Sequence, residues 1–323
     1  MNPFSLAPTE ITKTPRVSAV LPVFNAARYL RATLGSILAQ TFEGFELIAI
    51  DDASTDGSLE ILESIRDPRI KIHRNRENLR LIRTLNRGVE LAQGDYIARC
   101  DADDIYDPER FAAQVQFLDD HPDIAVVGSD AWLIDAENRI VDTTYNFPIT
   151  PIETSLRLGT ASPLFHSSVM ARRQAILDAG SYSVDHTHVE DYGLWLRVCR
   201  CSKVANLRRK LTYYRVHAQS VSRKYAKQQA DSAERLRRLY GVDSIQFRHS
   251  LQMFPSIPHR MINREAVWTS KSNLPRLFSA FLAHPLWTVA NVGLLALEVA
   301  RAKLAVTHSR LFPPDILRTR FRP

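Results

Sequence analysis

Apolar residues switch between two periodicities along the first two-thirds of this chain. Val17–Val23 is a continuous, β-branched apolar run, the pattern of a buried strand. Leu30, Leu34, Ile37 and Leu38 then recur at helical spacing. The alternation repeats. Residues 45–50 read as a strand. The turn-forming Ser54-Thr55-Asp56-Gly57 leads into a short helix bearing Ile61, Leu62 and Ile65. Residues 70–73 read as a third strand, and Ile82, Leu85 and Val89 mark a helix closed by Gly94. Residues 95–99 form a fourth strand, with Phe111, Val115 and Leu118 lining the helix after it. Strands alternating with helices predict an α/β fold, a doubly wound, mostly parallel sheet covered on both faces.

Further on, 124–128 and 131–135 read as two strands with Asn138 in the turn that follows, and 165–170 as another. A helix is predicted over 172–179, ended by Gly180, and a second over 190–200 with Leu194, Trp195, Leu196 and Val198 among its apolar positions. Residues 211–217 read as a strand. From about Ser222 the pattern turns helical and basic. The expected organisation is a polar arm (1–16), an α/β domain (17–222) and a basic helical C-terminal region (223–323).

Charge sharpens that division. The chain of 323 residues has a net charge of +7, but residues 200–323 hold 23 Lys and Arg against 6 Asp and Glu, and the remainder holds 19 against 29. The basic part suits a polyanion or an anionic membrane, or is a solvated surface. Residues 277–297 carry no formal charge, long enough for a membrane span on length alone. His284-Pro285 interrupts that stretch, and Ser279, Thr288 and Asn291 dilute it. An amphipathic helix at a membrane surface or subunit contact fits better, beside ordinary packing on the front domain. Cys100, Cys199 and Cys201 form no CxxC pair, which points to a reducing compartment, and residues 1–15 show no secretory pattern.

Three polar clusters fall at predicted strand ends: Phe24-Asn25, Asp51-Asp52 and Asp101 with Asp103 and Asp104. In open α/β sheets, ligands bind outside the carboxyl ends of the strands, so one crevice can collect all three. Asp107 is the expected N-cap, and Pro108 the first-turn residue, of a helix that starts at once. Crowded carboxylates repel, and a hard divalent cation relieves this, typically with substrate phosphates completing its shell. A solvated acidic loop is the plain alternative, and Asp-x-Asp alone does not separate the two. Arg83 lies near the crevice by pattern, to meet phosphate oxygens or to face solvent.

Taken together, the segments Val17-Ser-Ala-Val-Leu-Pro-Val-Phe-Asn25, Gln40-Thr-Phe, Phe45 to Gly57, Asp101-Ala-Asp-Asp104, Glu190-Asp-Tyr-Gly-Leu-Trp-Leu-Arg197 and Tyr214-Arg-Val-His217 resemble family 2 glycosyltransferases over residues 17–222. The resemblance implies a GT-A fold, a nucleotide-diphosphate sugar donor, a divalent metal (Mn²⁺ or Mg²⁺) and inversion at the anomeric carbon. On this likeness Pro22, Phe24 and Asn25 belong to the nucleotide-sugar site, the last two at base and ribose. Asp52 falls on the carboxylate that accepts the pyrimidine N3–H, which favours uracil or thymine over cytosine. Asp103 falls on the metal-binding aspartate with Asp101 beside it, shared between donor and metal. Asp191 falls on the catalytic base with Glu190 before it, and His217 where some members contact metal or diphosphate. Arg80 stands where the family often has Gly, and Gly193 where it often has an acidic residue.

The implied activity is transfer of a sugar, of the hexosyl class, from a UDP- or dTDP-sugar to a glycan or lipid-linked acceptor during surface polysaccharide or glycolipid synthesis. The implied location is the cytoplasm, peripheral on the inner membrane face. Two other classes compete. A sugar nucleotidyltransferase normally has a Gly-rich phosphate loop after its first strand, where this chain has Pro22-Val-Phe-Asn25. A non-catalytic nucleotide-sugar or lipid-binding relative would be expected to lack Asp103 or Asp191, and both are here. No Walker A or GxGxxG pattern appears, and no motif reads nucleic acid. His166 is either a core histidine or part of the acceptor site, and Trp195 either core or an acceptor-stacking surface. The donor sugar, the acceptor, the choice of metal and the oligomeric state stay open at this point.

Overall fold

The computed structural model describes residues 14–144, 147–216 and 225–242, all within one compact unit, Met1–Ser250. Its first half is built as the apolar pattern dictates. Strands β1 (Val17–Val23), β2 (Phe45–Asp51), β3 (Ile70–Arg74) and β4 (Tyr96–Arg99) alternate with helices α1 (Ala27–Leu38), α2 (Ser58–Ser64) and α3 (Arg80–Leu91). The four strands run parallel in the order β3-β2-β1-β4, so their carboxyl ends open on one side. β1 and β2 are buried on both faces, as their unbroken apolar runs require.

The second half mixes directions. After β5 (Ile105–Tyr106) and α4 (Arg110–Asp120) come β6 (Ile124–Ile134), β7 (Ile140–Thr143), α5 (Pro151–Leu158), β8 (Met170–Arg172), α6 (Arg173–Asp178), α7 (Glu190–Val198), β9 (Lys203–Arg215) and α8 (Ala226–Tyr240). The sheet continues β4-β8-β6-β9-β5, with β7 pairing β6. β8 is antiparallel to both β4 and β6, and β6 is parallel to β9. The expected doubly wound α/β sheet is therefore present, with a mixed second half.

Several expected boundaries move. Asp107 does accept the Glu109 N–H at 2.9 Å, but it caps a turn, and α4 begins only at Arg110. The two-residue β5 intervenes, pairing antiparallel with β9. Gly94 does not close α3, whose last turn ends at Ala92 in extended conformation. Its place is set by close approach, because a Cβ there would lie 2.8 Å from the backbone of Val17 and Ser18. The two strands expected over 124–135 are one, β6. Over 165–170 the chain instead forms a 3₁₀ turn at His166–Ser168 before β8. Ser168 Oγ bonds the Phe165 carbonyl at 2.8 Å, a local alternative to the sheet ladder. α7 stops at Val198, and β9 begins eight residues before the expected start.

Two apolar layers fill the faces. One contains Val20, Ile48 and Ile97 of the sheet with Leu85 of α3 and Leu194 and Trp195 of α7; the other contains Leu30 and Leu34 of α1 with Phe111 and Leu118 of α4. Among the described residues beyond Ser222, helix α8 docks on the front domain. Leu236 is buried in the first layer, Gln229 bonds the His188 carbonyl at 3.1 Å, and Arg237 bonds that of Thr160 at 2.9 Å. His217 and residues 1–13 and 277–297 lie outside the described residues. Among those described, no helix is long and apolar enough to cross a membrane.

Candidate active site

The loops leaving β1 and β2 are knitted together. Asn25 is held at φ +50°, its N–H bonded to Ser54 Oγ at 3.0 Å and its Oδ1 accepting from Thr55 N at 2.9 Å. Ala26 and Ala27 N–H groups are satisfied by Ser58 Oγ and Asp56 Oδ2 at 2.9 and 3.0 Å. Pro22 sits half-buried in β1 and Phe24 is left 51% exposed at its end, a large aromatic face open to solvent. The two carboxylates after β2 part company. Asp51 is fully buried, accepts the Ser54 N–H and faces Arg74 at 3.6 Å, a loop-holding role. Asp52 Oδ1 accepts from Asn75 Nδ2 at 2.6 Å and from Leu79 N at 2.8 Å. These bonds fix the carboxylate beside Phe24-Asn25. Arg80 follows in the left-handed region, φ +66°, where a glycine would rest without strain. Arg83 lies one turn into α3, exposed, with no hydrogen bond or ion pair among the described residues.

At the end of β4 the three aspartates separate. Asp104 is fully buried. Its Oδ1 accepts the Arg215 N–H at 2.9 Å, and burial next to Asp103 and Asp101 pushes its carboxyl well above the usual range. It ties β5 to β9 rather than facing a ligand. Asp101 and Asp103 are half-buried at the crevice. Asp101 Oδ1 lies 2.5 Å from Arg99 Nη1, in an ion pair whose guanidinium is 3% exposed and whose carboxylate is 31% exposed. Among the described residues no group of three or more protein side chains could hold a metal alone. Asp101 and Asp103 nonetheless fit a hard divalent cation, because they offer carboxylate oxygens and such an ion takes its remaining ligands from substrate phosphates.

Glu190 and Asp191 open α7, where acids complement the helix dipole. Burial, reinforced by Asp191, raises the Glu190 carboxyl to about 7. Burial also raises Asp191, opposed by a 3.4 Å hydrogen bond from Ser162 Oγ and by the charge of Arg99. Arg99 thus pairs with Asp101 at the end of β4, and its charge opposes the burial that raises Glu190 and Asp191 on α7. Gly193 is explained here: a Cβ on it would overlap His186 Nδ1, so the imidazole occupies the space an acidic side chain would need.

Trp195 is fully buried core. His166 bonds Tyr182 Oη at 3.1 Å and meets the Trp195 ring edge-on; burial and Arg99 hold its pKa well below the usual value. The half-buried ring packs between Tyr182 and Trp195. Arg99, Asn75, Ser162 and Tyr182 escaped the sequence reading. Arg99 alone left a signal there, a cation inside an apolar strand run.

The description "Glycosyl transferase family 2" matches residues 18–180. A Haemophilus influenzae protein described as an uncharacterized glycosyltransferase is 32% identical over 234 residues, 69% of this chain and 72% of that one. The Escherichia coli UDP-Glc:alpha-D-GlcNAc-diphosphoundecaprenol beta-1,3-glucosyltransferase WfaP is 29% identical over 210 residues, 64% of this chain and 79% of its own. Among solved structures, S. aureus TarS 1–349 in complex with UDP-GlcNAc superposes with a TM-score of 0.60 at 19% identity, over 82% of this chain and 79% of that one, which shows a shared fold.

Proposed function

The chain belongs to glycosyl transferase family 2, and from that premise we propose an inverting enzyme that moves a sugar from a UDP- or dTDP-sugar to an acceptor hydroxyl in surface polysaccharide or glycolipid synthesis. What supports this reading is the placement of Asp52, Asp101 and Asp103 just past the carboxyl ends of the parallel strands β2 and β4, with Glu190 and Asp191 opening α7.

Nucleobase choice falls to Asp52. Asn75 and Leu79 hold its Oδ1, which leaves Oδ2 to accept the N3–H of uracil or thymine. Cytosine has no proton at that nitrogen. Phe24 offers the base an exposed ring, Asn25 and Pro22 would shape the wall toward the ribose, and Arg83, exposed on α3, would meet phosphate oxygens.

Asp103 with Asp101 would hold Mn²⁺ or Mg²⁺, which when bound supplies Lewis-acid stabilisation of charge on the departing diphosphate. Asp191 takes the proton of the acceptor hydroxyl as its oxygen bonds the anomeric carbon opposite the leaving diphosphate. Burial suits that task, since a raised carboxyl pKa makes a stronger base. Glu190, raised to about 7 by burial and by Asp191, shares the first turn of α7 with it.

A UDP-sugar donor and a lipid-diphosphate acceptor are what the name of WfaP states of that enzyme, and they support the same classes here. The basic stretch from residue 200 onward supports peripheral attachment to the cytoplasmic membrane face. Flotation with anionic vesicles should weaken with salt and be lost on truncation after Pro275; no flotation at low salt removes that attachment.

Calorimetry with Mn²⁺ tests the donor reading. UDP or dTDP should bind at least about tenfold tighter than CDP, the value of one good hydrogen bond to a charged group. Asp52→Asn should erase the preference. Tighter binding of CDP would overturn it.

A further inference from the structure

The helix start that presents Glu190 and Asp191 is not fixed by a cap of its own. Val189, the N-cap residue of α7, makes no side-chain capping bond, since valine has no oxygen to offer the first-turn N–H groups. One residue earlier, His188 is held at φ +68°, a left-handed conformation in which a residue other than glycine is strained. That residue sets the direction in which the chain enters α7. A strained residue before an uncapped helix keeps its place only where its surroundings over-determine it.

Helix α8 supplies those surroundings. Tyr225, its N-cap residue, stacks on His188 with ring centroids 4.0 Å apart and 15° between the planes. Gln229, one turn on, donates from Nε2 to the His188 carbonyl at 3.1 Å. Ala233, Leu236 and Tyr240 continue the same face of α8, against the apolar layer that holds Leu194 and Trp195 of α7. Tyr240 meets the His186 ring edge-on, and that ring is the one packed against Gly193. Arg237 bonds the Thr160 carbonyl at 2.9 Å, two residues before Ser162, whose Oγ reaches Asp191 Oδ2 at 3.4 Å. One helix thus braces Asp191 from two sides, through the chain entering α7 and through the loop that carries Ser162.

We propose that Tyr225 and Gln229 are positioning residues for Asp191: they lock His188 in its left-handed conformation and so fix where the first turn of α7 holds its carboxylate. The inference rests on the reading of Asp191 as the base. It extends the chemistry into the C-terminal region, beyond the residues 18–180 that the family description matches. A base must stand within hydrogen-bond reach of the acceptor hydroxyl, and a displacement of about 1 Å can cost about 10²-fold in rate. Release of His188 to negative φ would turn the peptide planes entering α7 and swing its first turn. The proposed donor residues stand on other elements, at the ends of β1, β2 and β4 and on α3.

The test compares full-length Tyr225→Ala and Gln229→Met with wild type. Calorimetry with Mn²⁺ ranks UDP-glucose, UDP-galactose and UDP-N-acetylglucosamine, and the tightest serves as donor. Transfer is followed to an N-acetylglucosaminyl diphosphate alkyl lipid. Both variants should bind donor within about twofold of wild type while kcat falls by about tenfold or more. Tyr225→Phe, which keeps the stacked ring, should have wild-type kcat. NMR of the Asp191 carboxyl carbon gives a second readout that needs no acceptor. Burial raises that carboxyl, with Glu190, Arg99, Tyr182 and Ser162 facing it, so in both variants it should titrate nearer the ordinary carboxylate range. Wild-type kcat and wild-type Asp191 titration in both variants would overturn the proposal. So would a loss of donor binding as large as the loss of kcat. If wild type turns over none of the lipid, the Asp191 titration decides; if Tyr225→Ala does not fold, Gln229→Met decides. Normal transfer by Asp191→Asn removes the base reading and this inference with it. Slow transfer by Asp191→Asn beside unaltered α8 variants removes only the inference.

Discussion

Gly193 and His186 occupy space that only one of them can fill: a Cβ on Gly193 would overlap the imidazole Nδ1. Arg197 Nη1 approaches the same nitrogen at 3.3 Å, so the ring is wedged between α7 and the turn before it. That wedge sets where the first turn of α7, with Glu190 and Asp191, stands.

Gly193→Ala should therefore destabilise the protein by about 1–3 kcal/mol, the usual cost of overpacking, although alanine favours helix by about 1 kcal/mol. Denaturant unfolding measures it. Adding His186→Ala should restore most of the loss. A Gly193→Ala protein as stable as wild type would mean the ring is free to move aside.

Asp103 and Asp101 are half-buried at the end of β4, while Asp104 is buried and holds the Arg215 N–H. Asp103→Asn should abolish the Mn²⁺ dependence of nucleotide-sugar binding while leaving the fold intact. Asp104→Asn should instead cost stability, by about 1–3 kcal/mol for a disturbed buried hydrogen bond. Titrations with and without metal, alongside unfolding curves, distinguish the two. Unchanged metal dependence in Asp103→Asn would remove it from the metal site.

Asp130 carries a pH signature away from the crevice. Burial pushes its carboxyl up to about 6, opposed by Lys210 and Thr144. Between its unfolded value of about 3.9 and that folded value, the native state holds a proton the unfolded chain has released. Stability then falls as pH rises through this window, and the penalty persists above it. Asp130→Asn should raise stability by about 1 kcal/mol at pH 8, a value discounted for partial exposure, and change it little near pH 4. Equal effects at both pH values would contradict the assignment.

The front of the fold was legible because its strands are buried on both faces. Val17–Val23 and Phe45–Asp51 could not have been solvated surface, and their polar ends marked the crevice. β6 was less legible because Gly128, Ser129 and Asp130 look like a break. The strand runs through them with a register shift at Ser129 and Asp130, and Gly128 stays bare because a Cβ would overlap Asn206 Oδ1. α5 was missed despite its signal: Thr150 and Glu153 form a capping box around Pro151. β7 and β5 are too short for periodicity to reveal. Asp52, Asp101 and Asp103 lie at strand ends and Asp191 in the first turn of α7, positions that chain order fixes. Their partners Asn75 and Ser162 carry no such mark, since the contacts form only when the end of β3 meets β2 and the loop before β8 meets α7.

The most direct test of the account is Asp191→Asn, with donor binding and sugar transfer measured on the same preparation. If Asp191 takes the acceptor proton, the variant keeps wild-type affinity for its nucleotide sugar in the presence of Mn²⁺. Its transfer rate then falls by about 10²–10⁴-fold, the usual contribution of a positioned base. Near-normal transfer by Asp191→Asn, with donor binding intact, would contradict the assignment and place the base elsewhere in the crevice.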